Sequence, residues 1–235
     1  MISQHGPDVK ISTDDVELVA SVVALANFRI ARQLEETGEF HLALTGGTLG
    51  KAISESFVRL WNNNPKTFEG LHLWWGDERF VPEMSEERNA SPVLVGLSED
   101  SPIHLHQVLP SDANVTVEIA ARRYNADLSG IEMDLTLLGV GPDGHVASLF
   151  PGMWDENEWR SAISVVDSPK PPPQRVSFSM AKINSSDAVW FVMNGREKRE
   201  ALARILGRDA TIPATHVHGK IETLLFADHA VLATE

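Results

Sequence analysis

The sequence predicts an α/β fold, in which helices pack against a β-sheet. Stretches with a helical period alternate with short apolar stretches that are typical of buried strands. Three of the apolar stretches end in turns that contain glycine, as expected where the strands of an open sheet lead into ligand-binding loops. The chain has 235 residues, of which 43% are hydrophobic. This is enough material for the core of one large domain or two small ones.

The first elements follow directly from the pattern of apolar residues. Residues 14–38 predict a helix, because apolar residues recur at helical spacing. The predicted buried face comprises Val16, Val19, Val23, Ala26, Ile30 and Leu34. Thr13 or Asp14 can cap the start of this helix, and Gly38 can cap its end. Residues 40–45 predict a short buried strand, which a glycine turn connects to a second helix.

The rest of the chain continues the alternation. Residues 71–76 predict a strand that ends in a loop beginning at Asp77. Further strands are predicted at residues 102–108, 133–141, 161–167, 175–180, 188–195 and 221–228. Further helices are predicted at residues 89–97, 115–130 (capped by Thr116) and 196–207. Residues 168–175 are rich in proline and predict a stiff, extended linker. This linker could separate two lobes, but we expect one domain over residues 1–235.

Charge and composition exclude several classes of protein. The chain carries 20 basic and 33 acidic residues, a net charge of −13, whereas nucleic-acid binders usually present a basic face. The absence of cysteine excludes disulfides, thiolate catalysis and cysteine-ligated metal sites. The first twelve residues are polar, and no run of about 18 apolar residues occurs. We therefore expect a cytoplasmic protein that binds neither nucleic acid nor membranes.

Three glycine turns follow predicted strands, and they share one edge of the sheet if those strands are parallel. The first turn, Thr45-Gly46-Gly47-Thr48, has the chemistry of a phosphate site. Its glycines allow close approach of a ligand, and the following helix start offers free N–H groups and a positive dipole end. Its two hydroxyls add donors. The plainer alternative is an ordinary strand-to-helix turn, since neither a Walker loop nor a GxGxxG motif is present.

The second turn begins Asp77-Glu78-Arg79. A guanidinium forms paired hydrogen bonds to phosphate, and we expect Asp77 or Glu78 to orient Arg79 toward an anion. The alternative is an ion pair within the loop. Arg175, which ends the proline linker, and Lys198, which lies in the first turn of a predicted helix, are further cations beside turns. Each is either a ligand contact or a solvated surface side chain.

The third turn, residues 141–145 (GPDGH), places a histidine among glycines. Imidazole titrates near pH ~6.5, so His145 can accept a proton at neutral pH without help from a metal. Free N–H groups near Gly144 could hold an oxyanion. The alternative is a capping or loop histidine. The chain has no HExxH motif, and residues 216–219 (HVHG) are more typical of a strand face or loop than of a metal site.

Four segments, which together span most of the chain, resemble the 6-phosphogluconolactonases, in the superfamily shared with glucosamine-6-phosphate deaminases. They are LALTGGTLGKAI, WWGDERFVP, MDLTLLGVGPDGHVASLFPG and PPPQRVSFSMAKINSSDAVWFVMNGREKREAL, and the third is the most specific. The resemblance implies a Rossmann-like parallel central sheet flanked by helices. It also implies hydrolysis of 6-phospho-D-glucono-1,5-lactone to 6-phosphogluconate, with His145 as general base. Arg79, Arg175 and Lys198 are expected near the substrate phosphate or its hydroxyls.

Lactone hydrolysis is expected to need few groups besides the histidine and the cations. The carbonyl of a lactone is reactive, so we expect no metal and no cofactor. Asp143 or Asp77 is expected to hold the polar network, and the oligomeric state stays open.

Two departures from the family pattern concern the site: no proline follows the turn at residues 45–50, and Arg88-Asn89 stands where many members have Ser-Asn. Asn89 can fill the amide role, whereas Arg88 removes a hydroxyl.

Two other functions are weighed against the lactonase. Glucosamine-6-phosphate deaminases continue the glycine–histidine block with Ala-Phe-Asn-Glu-Pro, whereas residues 147–151 here are ASLFP and lack that acid. A sugar-phosphate sensor of the kind found in transcriptional regulators would have little use for His145 beside free amides. Both alternatives are disfavoured.

Overall fold

The structure is a computed structural model that describes residues 6–232, so the first five residues of the polar amino-terminal segment lie outside it. Its strands are β1 (Asp8–Ser12), β2 (Phe40–Leu44), β3 (Leu71–Trp75), β4 (Asp77–Arg79), β5 (His104–Leu105), β6 (Leu135–Gly139), β7 (Ala162–Val165), β8 (Arg175–Phe178), β9 (Ala188–Met193) and β10 (Glu222–Asp228). Its helices are α1 (Asp15–Thr37), α2 (Gly47–Asn63), α3 (Ser91–Gly96), α4 (Val117–Asp127), α5 (Met180–Asn184), α6 (Arg199–Leu206) and α7 (His229–Leu232). Among the described residues, no helix is both long and apolar enough to cross a bilayer.

The central sheet has seven strands in the order β1-β10-β9-β6-β2-β3-β5, and every neighbouring pair is parallel. The predicted α/β class with a parallel central sheet is confirmed. Because β6, β2 and β3 lie side by side, the three glycine turns that follow them meet at one edge of the sheet. The expected convergence of these turns is therefore confirmed.

Hydrophobic clusters cover both faces of the central sheet. Leu137 belongs to the cluster that includes α1 and α2, while the next residue, Leu138, belongs to the cluster that includes α4 and α6. Side chains of successive strand residues point to opposite faces, so a strand buried on both faces is apolar throughout. This explains why β6 is the clearest strand in the sequence.

A small antiparallel sheet, β4-β8-β7, lies beside the larger one. Its Val176 and Phe178 share a hydrophobic cluster with Leu138 and Phe191 of the central sheet. The proline-rich segment 168–175 runs from β7 into β8, so it connects two paired strands rather than two lobes. Residues 77–79 were expected in a loop, but they form β4, because their pairing partner lies about a hundred residues later in the chain.

Helix α1 is capped by Asp14, whose side chain accepts the N–H of Glu17, and it ends at Gly38 in a left-handed conformation. The predicted buried face is only partly correct. Val16 is 74% exposed, whereas Leu18 is fully buried. Two residues along a helix differ by about 200° in direction, so the buried row that starts at Leu18 leaves Val16 on the solvent side.

Candidate active site

A cleft of about 330 Å³ opens at the carboxyl ends of β6, β2 and β3. It collects most of the residues that the sequence analysis singled out: Thr45, Gly46, Gly47, Thr48, Asp77, Arg79, His145, Arg175 and Lys198. Asn89 also lines it, as does Lys170, which the sequence analysis did not select. Asp143 and Gly144 are not among the residues that line it.

A tight turn after β6 carries His145 to the cleft. The N–H of Gly144 donates to the Gly141 carbonyl and the N–H of Gly141 donates to the His145 carbonyl, both at 2.9 Å. A Cβ at Gly141 would overlap the His145 ring and the Asp143 carboxylate. Glycine at this position therefore lets the imidazole fold back over the turn.

Asp143 fixes the tautomer of His145. The imidazole Nδ1 lies 2.5 Å from Asp143 Oδ1, and a carboxylate in this place accepts the Nδ1 proton. Nε2 is then the nitrogen that can act as a base. Burial lowers the pKa of His145, and the hydrogen bond and charge of Asp143 offset this only in part. The ring is accordingly neutral, and able to accept a proton, at neutral pH.

The same contact keeps Asp143 ionised. Burial acts to raise the pKa of Asp143, but the hydrogen bonds and charge of His145, together with the charge of Lys170, outweigh it and leave the pKa below its ordinary value. Asp143 is thus placed to stabilise an imidazolium.

Gly144 closes the turn that carries His145. Its N–H is already used by the Gly141 carbonyl, because closing the turn requires that bond. Gly144 is also absent from the residues that line the cleft. The N–H of Gly144 itself is therefore not free in this geometry, and the expectation that N–H groups near Gly144 hold an oxyanion stays a prediction for the neighbouring groups.

Asn89 holds Arg79 in the cleft. Arg79 Nη1 donates to Asn89 Oδ1 at 2.6 Å and to the Glu87 carbonyl at 2.9 Å. Asn89 Nδ2 in turn donates to Asp77 Oδ1 at 3.0 Å, and Ser148 Oγ donates to Asp77 Oδ2 at 2.7 Å. Asp77 therefore orients Arg79 through Asn89 rather than by a direct ion pair.

Glu78 faces the interior instead of the cleft. Its carboxylate accepts the backbone N–H groups of Arg79, Asn89 and Ala90 at 2.6–3.0 Å. Burial raises the pKa of Glu78 to about 7, against the lowering effect of these hydrogen bonds and of Arg88. Arg88 is only 2% exposed, and its Nε lies 3.7 Å from Glu78 Oε2. Arg88 thus belongs to the support beneath Asn89, not to the lining of the cleft.

The first glycine turn is shaped by close packing. A Cβ at Gly46 would overlap the Asn89 amide, so the glycine lets the turn lie directly against the group that holds Arg79. Gly46 is the N-cap of α2, and no side chain caps this helix start. Thr45 Oγ1 accepts the N–H of Gly139 at 2.9 Å, which ties β2 to β6. The free N–H groups at Gly47 and Thr48 suit an anion.

The two remaining predicted cations differ in their surroundings. Arg175 is only 5% exposed, and its guanidinium donates to the carbonyls of Lys170, Pro171 and Pro172. Lys198 is half-buried and forms no hydrogen bond or ion pair through its ammonium among the described residues. It lies in a 3-10 turn, Arg196–Lys198, just before α6 begins. Both line the cleft, but Arg175 offers only Nη1, which lies 3.6 Å from Asp77 Oδ2.

A second polar cluster lies at the opposite, amino-terminal end of the strands. His41, His72 and His104 are register partners on β2, β3 and β5. Trp74 Nε1 donates to His41 Nδ1 at 3.0 Å, so the proton of a neutral His41 sits on Nε2, 3.3 Å from Glu39 Oε1. Ligand atoms of Glu39, His41 and His72 lie within 4.8 Å of one another. A metal at His41 Nε2 would displace the proton there. A neutral ring would then carry its proton on Nδ1, which could no longer accept the hydrogen bond from Trp74, so the geometry favours a hydrogen-bonded network.

This cluster makes stability dependent on pH. His72 Nδ1 lies 2.9 Å from His106 Nε2, and burial followed by the charge of His72 lowers the pKa of His106 to about 4. In the unfolded chain the pKa is about 6.5. Between these two pKa values the unfolded chain binds the proton more readily than the folded protein does. The free energy of unfolding is therefore unaffected by protonation of His106 above pH 6.5, and it falls as the pH is lowered from 6.5 toward 4. Between about pH 7 and pH 4.5, we expect the free energy of unfolding of His106→Gln to fall by on the order of 2 kcal/mol less than that of the wild type.

Urea unfolding followed by tryptophan fluorescence at the two pH values measures this loss. His229→Gln is the matched control, because His229 is an exposed histidine outside the cluster. An unchanged pH dependence in His106→Gln would contradict the prediction.

Comparisons with known proteins agree with this architecture. A sequence model of the family described as glucosamine-6-phosphate isomerases/6-phosphogluconolactonase matches residues 13–226. The chain is 34% identical over 235 residues to a 6-phosphogluconolactonase of Streptomyces coelicolor, covering 92% of this chain and 90% of that one. It is 35% identical to a 6-phosphogluconolactonase of Rattus norvegicus, covering 94% of this chain and 91% of that one.

Solved structures share the fold. A 6-phosphogluconolactonase from Thermotoga maritima superposes with a TM-score of 0.78 at 27% identity, covering 94% of this chain and 99% of that one. A monomeric glucosamine-6-phosphate deaminase superposes with a TM-score of 0.80 at 16% identity, covering 96% and 98%. The fold alone thus does not separate the two activities. With its sequence match over residues 13–226 and these relatives, the chain belongs to the glucosamine-6-phosphate isomerase and 6-phosphogluconolactonase family.

Proposed function

We propose that this protein hydrolyses 6-phospho-D-glucono-1,5-lactone to 6-phosphogluconate, without a metal. The observation that carries the proposal is the His145–Asp143 pair in a cleft that also presents Arg79 and an uncapped helix start. A neutral imidazole backed by a carboxylate can activate water, and a guanidinium beside free N–H groups can hold a phosphate. The named lactonase relatives support the same substrate.

The reaction uses His145 first as a base and then as an acid. His145 Nε2 takes a proton from water while the water oxygen bonds to C1 of the lactone, and the carbonyl electron pair moves onto its oxygen. When that pair returns, the bond between C1 and the ring oxygen breaks, and the ring oxygen takes the proton from the imidazolium. The new carboxylic acid then loses its proton to solvent. Asp143 stabilises the imidazolium between the two steps.

The phosphate end positions C1 over His145. Arg79, held by Asn89, and the N–H groups of Gly47 and Thr48 form the proposed phosphate subsite. Lys198 adds positive charge along the cleft. Holding the charged tail in this subsite converts attack by water into a reaction between positioned groups.

Arg79→Met should weaken substrate binding. Charge-assisted hydrogen bonds contribute about 1.5–3 kcal/mol each, so kcat/KM should fall about 10- to 100-fold, mainly through KM. Steady-state kinetics on the lactone measures this change. Arg32→Met is the control, because Arg32 is paired with Glu36 on the exposed side of α1. An unchanged KM would place the phosphate elsewhere.

Turnover of freshly generated 6-phosphogluconolactone, corrected for spontaneous ring opening, tests the function itself. We expect opening well above the uncatalysed rate, and no ammonia from glucosamine-6-phosphate. Ammonia release without lactone opening would favour the deaminase, whose fold this chain shares.

A further inference from the structure

The proline-rich loop between β7 and β8 is closed by hydrogen bonds within the loop. Ser168 N–H donates to the Pro173 carbonyl at 2.9 Å, which closes the loop. Inside it, Ser168 Oγ donates to the Lys170 carbonyl at 2.9 Å and accepts the Lys170 N–H at 3.2 Å. The backbone of Lys170 is therefore fixed on both sides.

Arg175 fastens this loop to the edge of the cleft. Its Nε donates to the Pro172 carbonyl at 3.1 Å, and its Nη2 donates to the carbonyls of Pro171 and Lys170 at 3.0 and 3.1 Å. Its Nη1 lies 3.6 Å from Asp77 Oδ2. Burying a guanidinium is costly unless its donors are satisfied. Here Nε and Nη2 donate to one short loop, and Nη1 faces Asp77.

The loop presents the side chain of Lys170 to the cleft. Lys170 is half-buried and lines the cleft, and its ammonium forms no hydrogen bond or ion pair with any residue between 6 and 232. The ammonium of Lys198 is likewise unpaired and lines the same cleft. Two unpaired, partly buried like charges in one cleft repel each other, so the cleft favours an anionic ligand.

Lys170 and His145 line the same cleft. After burial and the effect of Asp143, the charge of Lys170 lowers the pKa of His145, and it also acts on Asp143 and Lys198. Arg79, by contrast, is fastened to Asn89 beside the first glycine turn. The cleft thus presents Lys170 in addition to Arg79, and the substrate carries one permanent anion and one oxygen that becomes negative during the reaction.

We propose that Lys170 contacts the C1 oxygen of the lactone and stabilises its negative charge in the tetrahedral intermediate. This inference rests on the lactonase function proposed above. The charge on that oxygen appears when the water oxygen bonds to C1, and it disappears when the ring C–O bond breaks. A cation held in place before the reaction stabilises this charge without reorganising. Lys170 would thereby act beside the N–H groups near Gly144, which are expected to hold the same oxygen.

Lys170→Met tests the proposal. Loss of one oxyanion-stabilising group costs about 10²- to 10³-fold in kcat, so we expect that loss with little change in KM. Lys170→Arg should retain more activity than Lys170→Met. Lys66→Met is the control, because Lys66 is exposed and far from the cleft. Thermal unfolding of each variant verifies that the fold is kept.

The pH profile adds a readout that a merely structural role would not move. Because the charge of Lys170 lowers the pKa of His145, its removal should shift the acidic limb of kcat/KM to higher pH. A rise in KM with unchanged kcat would make Lys170 a phosphate ligand and overturn the proposal, as would unchanged kinetics. If the wild-type protein itself does not open the lactone, the proposed function fails first, and this inference fails with it.

Discussion

His145→Ala is expected to lower kcat by about 10²- to 10⁴-fold, the range typical of losing a general base. The reason is that His145 Nε2 is the base atom left free by the bond between Nδ1 and Asp143. His145→Gln, which keeps a polar side chain of similar size, should lose a comparable amount. Initial rates on fresh lactone, with the spontaneous rate subtracted, measure the effect.

The same variants should keep the fold and the affinity for substrate. Binding of 6-phosphogluconate, measured by calorimetry at neutral pH, should change little, because Arg79 and the turn at residues 46–48 are untouched and the neutral His145 has no proton on Nε2 to donate to the product carboxylate. A kcat in His145→Ala equal to that of the wild type would remove His145 from the mechanism.

Asp143→Asn should approach the loss seen in His145→Ala. An amide can present its N–H₂ to Nδ1, which moves the ring proton to Nε2 and leaves the wrong nitrogen as the base. The same change in the orienting carboxylate of a Ser-His-Asp triad lowers kcat by about 10⁴, and here the loss is bounded by that of removing the base. The variant with both Asp143→Asn and His145→Ala should be no slower than His145→Ala, because the two residues act as one unit.

Asp100→Asn is the matched control for this change, since Asp100 is exposed and lies outside the cleft. The acidic limb of the pH profile gives a second readout. Asp143 raises the pKa of His145, so residual activity in Asp143→Asn should have its limb at lower pH. Wild-type activity in Asp143→Asn would show that the carboxylate does not orient the base.

The central sheet was predictable because its strands are buried on both faces and are therefore apolar throughout. β6, which contains Leu137 and Leu138 facing opposite clusters, illustrates this. β1 was not predicted, since this edge strand is mostly exposed and carries polar residues. β4 was not predicted either, because residues 77–79 become a strand only by pairing with Arg175–Phe178. The residue pattern at 77–79 does not indicate a pairing partner so far along the chain.

Site residues were predictable where a titratable or charged side chain lies in a glycine turn that follows a strand. His145 and Arg79 both follow strand ends, and both line the cleft. The use of each cation was harder to predict, because it depends on what the folded chain places around it. Arg175 directs Nε and Nη2 to carbonyls of its own loop, whereas the ammonium of Lys170, in the middle of that loop, has no partner among the described residues. A lysine between prolines that lead back to the sheet edge was the available signal.

A crystal structure with 6-phosphogluconate bound tests the central claim most directly. We predict that, in crystals kept below the pKa of His145 so that Nε2 carries a proton, Nε2 donates to a C1 carboxylate oxygen at about 2.6–3.2 Å, while the phosphate meets Arg79 and the N–H groups of residues 47–48. A product bound in the reverse direction, or with its carboxylate in solvent and away from the imidazole, would contradict the account.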